Sequence, residues 1–411
     1  MIFGHDRTLS SLEPVLSLSK GKAKGVSKLR PELHPELVEG GAIYRNSELR
    51  LNVKSAQKGK LVLQDDIQKS NDTRLCDRIS KKGYWSRLHQ VVIQAVTTGG
   101  MAAMGFYRQA LPWPTDLAQL DKEDKNPSTI ADLQATSRIL QTVDPVLSLL
   151  GRGRDLNCGL SYLAEETQYI GWFQQHLSRE IFNRVQAPTQ FFTYQKNVLR
   201  VIIDGVDGTG SFTRGLPLFC SAVAILVDDQ ARVAAIYDPI HHVVYSALLA
   251  GPYENPIAQA EAWAWQIATG DRINLAERAT KAEPKELQEE AIGTHLTRNK
   301  RNRSKRQEFL GVHPPHPTSM LERLADSSAG IYAQNSGVVA MADVARGALG
   351  GFVNIVTNLW DVAAGEVLVR ACRGQVTDFA GAPITYASTE QTSVVAAKAH
   401  LHAQILDILA G

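Results

Sequence analysis

The sequence predicts a layered α/β fold, and three features lead to this prediction. Apolar residues recur at helical spacing from Tyr84 towards Phe106, which indicates a first helix. A β-branched and apolar run from 198 to 203, interrupted only by Arg200, indicates a strand buried on both faces. Helical and strand patterns alternate beyond it, and this alternation favours layers of helices and sheet over a bundle or a β-sandwich.

The remaining elements follow from local signals. A helix is predicted from Thr129, where Ser128 and Thr129 supply side chains that satisfy free backbone N–H groups. That helix is expected to end near residue 143. Strands are predicted at 221–227, 233–237 and 242–248, and further helices at 338–348, 362–372 and 396–409. The polar segment 275–310 is expected to be mainly surface loop or exposed helix. His241 and His242 are interpreted as strand residues rather than metal ligands, because they have no partner at helical spacing.

Composition limits the possible classes of protein. The 411 residues carry a formal net charge of +2, which gives no argument for a nucleic-acid or membrane-surface partner. The four cysteines are far apart and form no CxxC pair, so a disulfide scaffold and a structural zinc are both disfavoured. No apolar run reaches the roughly 18 residues that a membrane span requires, and no signal peptide is recognisable. We expect a cytoplasmic protein that forms a homodimer.

Residues 1–83 differ from the rest of the chain. Lysines alternate there with small residues, and Pro-Glu-Leu occurs twice, at 31–33 and 35–37. Such a composition buries little apolar surface, so the segment is interpreted as a disordered or spurious leader, with a transit peptide or a partner-binding arm as alternatives. We expect two halves beyond it, an α+β half at 84–215 and an α/β half at 216–411.

The most informative stretch is the turn from Asp204 to Phe212, directly after the buried strand. Asp204 and Asp207 are three residues apart and can share divalent cations, while the carbonyl of Val206 supplies a neutral oxygen. Gly208 and the residue after it leave N–H groups free for a phosphate oxygen. By itself such a turn is also consistent with a plain β-turn with solvated carboxylates. A P-loop is excluded because no Gly-Lys-Ser/Thr follows.

Three further segments carry suitable residues. Glu165 and Glu166 precede the strand, Asp361 stands at a predicted helix start, and Lys122 begins a segment that ends at Asp132. Taken singly, these segments are explained by a solvated pair of glutamates, a helix-capping aspartate and a capped helix start. Their order and shared chemistry favour a single metal-dependent site.

With these segments the chain resembles the inositol monophosphatase superfamily of magnesium-dependent, commonly lithium-sensitive phosphatases. Residues 204–212 resemble its Asp-Pro-Ile-Asp-Gly-Thr-x-Asn-Phe signature, and 360–365 match Trp-Asp-x-Ala-Ala-Gly. Residues 122–132, 164–166 and 335–352 resemble its Lys-x-Asp-Gly-Ser-Pro-Val-Thr-x-x-Asp, Gly-Glu-Glu and Gly-Ser-Ala-Ala segments. The resemblance extends from about residue 84 to the C-terminus. It implies a layered α-β-α-β-α sandwich of the inositol monophosphatase and sugar phosphatase type.

The resemblance also implies a set of ligands for two to three Mg²⁺ ions. Glu165, Asp204 and the Val206 carbonyl would hold the first ion, and Asp204, Asp207 and Asp361 the second. Glu165 would help to hold a third. The expected activity is hydrolysis of a small phosphomonoester by a water that the ions activate.

Further roles are implied for residues around the ions. Thr209, hydrogen-bonded to Asp132, would orient the attacking water, and Glu165 completes the catalytic set. The residues expected to bind phosphate or substrate are Gly208, Thr209, Asn335, Ser336 and Asn354, with Lys122 as a possible accessory.

Several departures from the family pattern bear on the substrate. Gly205 replaces the usual proline, and Gly210-Ser211 replaces the usual residue and Asn. Gly350 and Asn354 stand where relatives often have Asp and Glu, which argues against inositol phosphate itself. The basic run 298–306 is interpreted as a solvated loop, and binding of a second phosphate is the alternative interpretation. A 3′(2′),5′-bisphosphate nucleotidase or a sugar bisphosphatase is therefore an alternative function, and histidinol phosphate also stays open as a substrate.

Two alternatives come from other functional classes. A catalytically silent binding protein of the same fold would be marked by loss of a ligand carboxylate, and all four are present. A nucleic-acid-binding protein would need aromatic residues interleaved with its cations, and neither the leader nor the basic run has them.

Overall fold

A seven-stranded sheet runs through the first part of the fold. The computed structural model describes residues 74–110, 119–120, 128–152, 156–191, 197–295, 317–386 and 391–410. The strands of this first sheet, in spatial order, are β3 (Gly159–Ala164), β4 (Val198–Asp207), β5 (Cys220–Val227), β6 (Gln230–Asp238), β7 (Val243–Leu249), β8 (Ala260–Gln266) and β9 (Arg272–Asn274). β3 and β4 are parallel, and the other neighbours are antiparallel.

A second sheet of five strands follows. Its spatial order is β11 (Gly330–Ala333), β10 (Ala291–Thr294), β12 (Gly351–Asn358), β14 (Gln391–Ala397) and β13 (Gln375–Thr377). The first three strands are parallel, and β14 is antiparallel to both of its neighbours. A separate antiparallel pair is formed by β1 (Gln119–Leu120) and β2 (Ser128–Thr129).

Helices cover both faces of each sheet. They are α1 (Leu75–Lys81), α2 (Trp85–Ala110), α3 (Ile130–Arg152), α4 (Ile170–His176), α5 (Arg179–Phe182), α6 (Pro188–Phe191), α7 (Thr209–Phe212), α8 (Leu275–Lys281), α9 (Pro317–Ser327), α10 (Gly337–Ala345), α11 (Ala363–Ala371) and α12 (Ala399–Ala410). Short 3₁₀ helices lie at Glu165–Gln168, Pro256–Gln259, Leu287–Glu289 and Leu359–Asp361. Within the described residues, no helix combines the length and the apolarity that crossing a membrane requires.

The elements stack as five layers. Apolar residues of α1, α2 and α3 pack on one face of the first sheet, and those of α10 and α11 pack on the other. The second sheet contacts α10 and α11 from the far side, and α9 and α12 cover its outer face. The predicted α-β-α-β-α sandwich is therefore confirmed, with α10 and α11 as the shared middle layer.

The first described helix begins earlier than expected. In α1, the side chains of Leu75, Cys76 and Ile79 are buried in the core. Asp228, in the turn between β5 and β6, accepts hydrogen bonds from the Leu75 and Cys76 backbone N–H groups at 3.3 and 2.8 Å. The expected end of the leader at residue 83 is therefore about ten residues too late, whereas the helix expected from Tyr84 is present as α2. A helix of seven residues gives too short a hydrophobic pattern to be recognised in the sequence among the neighbouring polar residues.

The structure also corrects several boundaries. The expected division after residue 215 falls inside the first sheet, because β5 pairs with β4. The polar segment 275–310 contributes α8 and the buried strand β10, whose small residues gave no strand signal. Ala396 belongs to β14 rather than to the last helix. His241 and His242 lie in the turn before β7 rather than within that strand. The basic run 298–306 lies outside the described residues.

We predict that α1 is required for stability. Ile79→Ala should lower the free energy of unfolding by about 3 kcal/mol, because it removes a fully buried side chain and leaves a cavity. Urea denaturation of the full chain measures this change. Lys81→Ala, on the exposed side of the same helix, is the control and should change stability by less than about 0.5 kcal/mol. Equal stability of the two variants would contradict the packing of α1.

Candidate metal centre

The ends of two parallel strands bring the first two carboxylates together. β3 and β4 run in register, with Ala164 opposite Ile203. The next residues along the chain are Glu165, which begins the 3₁₀ helix after β3, and Asp204 of β4, so both lie at the same edge of the sheet. The continuous apolar run in β4 predicts a buried strand, but the neighbour of Asp204 is set by this non-local pairing.

A β-bulge allows two aspartates of β4 to reach the same site. Residues three apart on a regular strand point to opposite faces. Asp204 lies opposite Ala222 and Asp207 lies opposite Cys220, so β4 carries one residue more than β5 over this interval. An extra residue of this kind re-aims the following side chain. The bulge therefore reconciles the spacing of Asp204 and Asp207 with a shared site.

Asp361 reaches the site from the second sheet. It ends the 3₁₀ helix after β12 and directly precedes the first turn of α11. Its Oδ2 accepts hydrogen bonds from Thr357 Oγ1 at 3.2 Å and from the backbone N–H of Asn358 at 3.4 Å. These donors fix the carboxylate at the point where the second sheet meets the middle layer.

Glu165, Asp204, Asp207 and Asp361 form what we term the acidic cluster. Glu165, Asp204 and Asp361 each offer a carboxylate oxygen, and these three oxygens lie within 4.8 Å of one another. Both oxygens of Asp204 are buried and accept no hydrogen bond among the described residues. A buried carboxylate without donors is costly, and a bound cation would satisfy it. An all-oxygen donor set fits Mg²⁺.

The electrostatics of the cluster agree with a missing positive charge. Burial raises the pKa of Asp204 well above its usual range, and Glu165, Asp207 and Asp361 raise that pKa further. Burial also raises the pKa of Asp361, with Asp207 and Glu165 adding to the effect. Like charges this close favour protonation unless a cation is bound.

Asp207, unlike Asp204, is held by hydrogen-bond donors in the described part of the chain. Its Oδ2 accepts hydrogen bonds from the Ser336 hydroxyl and from the Val338 backbone N–H, the latter at 2.9 Å. Burial raises the pKa of Asp207 to about 6, because these two donors and the Gly337 N–H offset part of the effect. Asp207 is therefore a well-oriented carboxylate at the edge of the cluster.

A second hydrogen-bonded group lies beside the cluster. The Thr209 hydroxyl lies 2.8 Å from Asp132 Oδ1 and 2.9 Å from the Val206 carbonyl, so its one hydrogen is shared between two acceptors. Asp132 Oδ2 accepts from the backbone N–H of Thr129 at 2.9 Å and from its hydroxyl at 2.5 Å. The expected hydrogen bond between Thr209 and Asp132 is thus present. Thr129 is a partner of Asp132 that sequence reasoning interpreted only as a helix cap.

Two glycines of the turn are required by geometry. Gly208 has φ +91°, and a Cβ there would lie 2.6 Å from the Leu218 carbonyl oxygen. Gly205 has an ordinary φ, but a Cβ there would lie 2.5 Å from Thr136 Oγ1 and 2.7 Å from the Asp132 carbonyl. The replacement of the usual proline by Gly205 therefore permits close approach of α3 rather than merely loosening the turn.

The remaining predicted substrate residues are more scattered. Asn335 is exposed and directly precedes the cap of α10. Asn354 is buried on β12, next to a second bulge, and makes no hydrogen bond to the acidic cluster within the described residues. Ser336 directs its hydroxyl at Asp207, a contact that no local sequence signal indicates. Lys122 lies outside the described residues.

Comparison with protein families assigns the chain. Residues 177–410 match the model of the inositol monophosphatase family. The chain belongs to that family. The matched range includes the three aspartates of the acidic cluster, whereas Asp132 and Glu165 precede it. Two residues of the candidate site therefore lie outside the matched range.

Individual relatives cover only part of the chain. The probable inositol 1-monophosphatase ImpA of Mycobacterium tuberculosis is 30% identical over 209 residues, 51% of this chain and 66% of the relative. The Nus factor SuhB of Pasteurella multocida is 27% identical over 183 residues, 44% of this chain and 57% of the relative. The matched part of the chain therefore covers less than two thirds of the length of either relative.

A solved structure supports the fold. The inositol monophosphatase from Anabaena (Nostoc) sp. PCC 7120 superposes with a TM-score of 0.52 and 17% identity, covering 79% of this chain and 96% of that structure. At this identity the similarity concerns the fold alone. It agrees with the five layers described for this family member.

We predict that neutralising Asp204 stabilises the metal-free protein. Asp204→Asn removes a buried charge that neighbouring carboxylates repel, and should raise the free energy of unfolding in chelator by about 2 kcal/mol. The free energy of unfolding of the metal-free parent protein should also depend on pH. Asp207 has a folded-state pKa raised to about 6, so its contribution to stability falls as pH rises from about 4 through about 6, and the raised pKa values of Asp204 and Asp361 act in the same direction.

The two effects are measured together by urea denaturation in chelator at about pH 5 and about pH 7.5. The advantage of Asp204→Asn over the parent should be larger at the higher pH, and saturating Mg²⁺ should reverse it. Asp326→Asn, an exposed aspartate in α9, serves as the control. A variant less stable than the parent in chelator at both pH values would contradict the repulsion.

We also predict that Gly205 cannot accept a side chain. Gly205→Ala should lower the free energy of unfolding by about 2 kcal/mol, because the added Cβ must displace α3. Gly210→Ala is the matched control, since a Cβ there would meet only the end of the Arg214 side chain, at 3.5 Å. Thermal denaturation of both variants tests this expectation. A Gly205→Ala protein as stable as Gly210→Ala would refute the close approach.

Proposed function

We propose that the protein is a magnesium-dependent phosphatase that hydrolyses a small phosphomonoester. The observation that carries this proposal is the buried Asp204 carboxylate, which has no donor in the part of the chain that the structure describes and lies beside oxygens of Glu165 and Asp361 within 4.8 Å. Such a group is unfavourable unless a cation binds it. Family membership supports a phosphatase of the inositol monophosphatase type.

The residues of the cluster would share two to three Mg²⁺ ions. Glu165, Asp204 and the Val206 carbonyl would hold one ion, and Asp204, Asp207 and Asp361 a second, with Glu165 helping a third. Bound Mg²⁺ supplies a water of lowered pKa and shields the negative charge of the phosphate. The protein contributes the fixed placement of these oxygens.

Thr209 and Asp132 would orient the attacking water. The Thr209 hydroxyl donates its single hydrogen to Asp132 or to the Val206 carbonyl, so its lone pairs are available to accept a hydrogen from water. Asp132 is in turn fixed by two donors from Thr129. This chain of hydrogen bonds would aim the water at the phosphorus atom, and positioning of this kind lowers the barrier.

The phosphate would lie against the turn that follows β4. Gly208 adopts a left-handed conformation directly before α7, and the backbone N–H groups at the start of α7 would donate to a phosphate oxygen. Asn354 offers an amide where inositol-specific relatives have a carboxylate. We therefore favour a phosphomonoester other than inositol phosphate, and a bisphosphate nucleotide or a sugar bisphosphate remains an alternative.

A non-catalytic role is the competing proposal. It is suggested by the relative named Nus factor SuhB. A binding protein of this fold would gain nothing from burying an unpartnered Asp204 beside other carboxylates, which destabilises the folded state without a cation. The retained cluster therefore favours catalysis. The homodimer and the cytoplasmic location stay predictions.

We predict that Asp361 is essential for turnover. Asp361→Asn should reduce turnover at saturating Mg²⁺ by at least about 100-fold, roughly 3 kcal/mol of lost transition-state stabilisation, because one ligand charge of the second ion is lost. The side-chain oxygen of Asn can still accept from Thr357 and Asn358, so the fold should survive. Released phosphate is measured with a panel of phosphomonoesters.

Two controls complete this test. The parent should lose activity in chelator and regain it with Mg²⁺. Asp407→Asn, an exposed aspartate in α12, should retain parental turnover. Turnover of Asp361→Asn within threefold of the parent would mean that Asp361 only caps a helix, and the proposed metal site would have to be abandoned.

A further inference from the structure

The hydroxyl of Ser336 is fully committed to protein partners. Ser336 is completely buried and stands at the N-cap of α10. Its Oγ donates to Asp207 Oδ2 and accepts from the Val339 backbone N–H at 3.1 Å. Its only hydrogen therefore points at a carboxylate of the acidic cluster, and the substrate phosphate would have to compete for it.

The start of α10 strengthens the same contact. The Val338 N–H donates to the same oxygen of Asp207 at 2.9 Å, and the Gly337 N–H also stabilises the charged carboxylate. Free N–H groups in the first turn of a helix carry partial positive charge, which favours a carboxylate there. Two kinds of donor, a side chain and a helix end, thus hold one oxygen of Asp207.

We propose that Ser336 is a positioning residue for the metal ligand Asp207, and not a residue that binds substrate. This inference rests on the proposed function, because it concerns how Asp207 meets Mg²⁺. With Oδ2 held by α10, Asp207 offers the ion its other oxygen. The contact also ties β4 of the first sheet to the middle layer, on which Asp361 is placed.

The consequence is measurable as magnesium affinity. Residues that hydrogen-bond a metal ligand orient it, and their loss commonly weakens metal binding by about 10- to 100-fold. Without the Ser336 hydroxyl, Asp207 loses its side-chain donor and can rotate away from the ion. We expect the Kd for Mg²⁺ to rise about tenfold or more, whereas substrate affinity at saturating Mg²⁺ should change little.

The experiment separates positioning from helix capping. Ser336→Ala removes both the cap and the donor, whereas Ser336→Gly removes the donor but keeps an acceptable N-cap residue. Ser178→Ala is the matched control, because Ser178 caps α5 through an acceptor contact to the Ile181 N–H. The Kd for Mg²⁺ is measured by calorimetry on the full chain, and KM and kcat with p-nitrophenyl phosphate.

The expected result is a Mg²⁺ Kd raised about tenfold or more in both Ser336 variants, equivalent to about 1.4 kcal/mol. Ser178→Ala should bind Mg²⁺ as the parent does, and KM at saturating Mg²⁺ should stay within about threefold in all variants. The inference is overturned if KM rises with Mg²⁺ affinity intact, or if Ser336→Gly binds Mg²⁺ as tightly as the parent. A parent that binds no Mg²⁺ would instead refute the proposed function, and this inference with it.

Discussion

Repulsion among the buried carboxylates of the acidic cluster is the constraint on which the rest of the site depends. Burial and mutual repulsion raise the pKa values of Asp204 and Asp361 well above their usual range, so the unliganded arrangement is unfavourable. The fold must therefore hold these groups together against a force that separates them. The five-layer packing supplies that restraint, because each carboxylate extends from an element that apolar contacts fix elsewhere.

The restraint is applied through the backbone more than through side chains. A parallel strand pair places Glu165 beside Asp204, a bulge turns Asp207 to the same site, and a 3₁₀ helix presents Asp361. The donors are distributed unequally, since the helix start and Ser336 stabilise Asp207, whereas Asp204 accepts no hydrogen bond from any residue that the structure describes. The carboxylate without donors is the one with the greatest need of a cation, and it is proposed to bridge two ions.

Local patterns predicted the parts of this arrangement that local physics decides. The strand before Asp204, the turn after it and the middle-layer helices follow from periodicity and from glycine in a left-handed conformation at Gly208. Other parts depend on distant partners. The short helix α1 is held by Asp228, β10 is buried only because two strands flank it, and Gly205 is required by the approach of α3. A single sequence contains no signal for such contacts.

The position of Asp132 and Glu165 before the matched family range has a structural explanation. Glu165 is brought to the cluster by the pairing of β3 with β4, and Asp132 is brought to Thr209 by α3, which packs against α2 and the first sheet. The three aspartates within the matched range therefore depend on the pairing of β3 with β4 for the approach of Glu165, and Thr209 depends on the packing of α3 for its partner Asp132. Since α1 shares a buried cluster with α3 and is anchored to the β5–β6 turn through Asp228, it helps to fix the helical layer that carries Asp132 to the site.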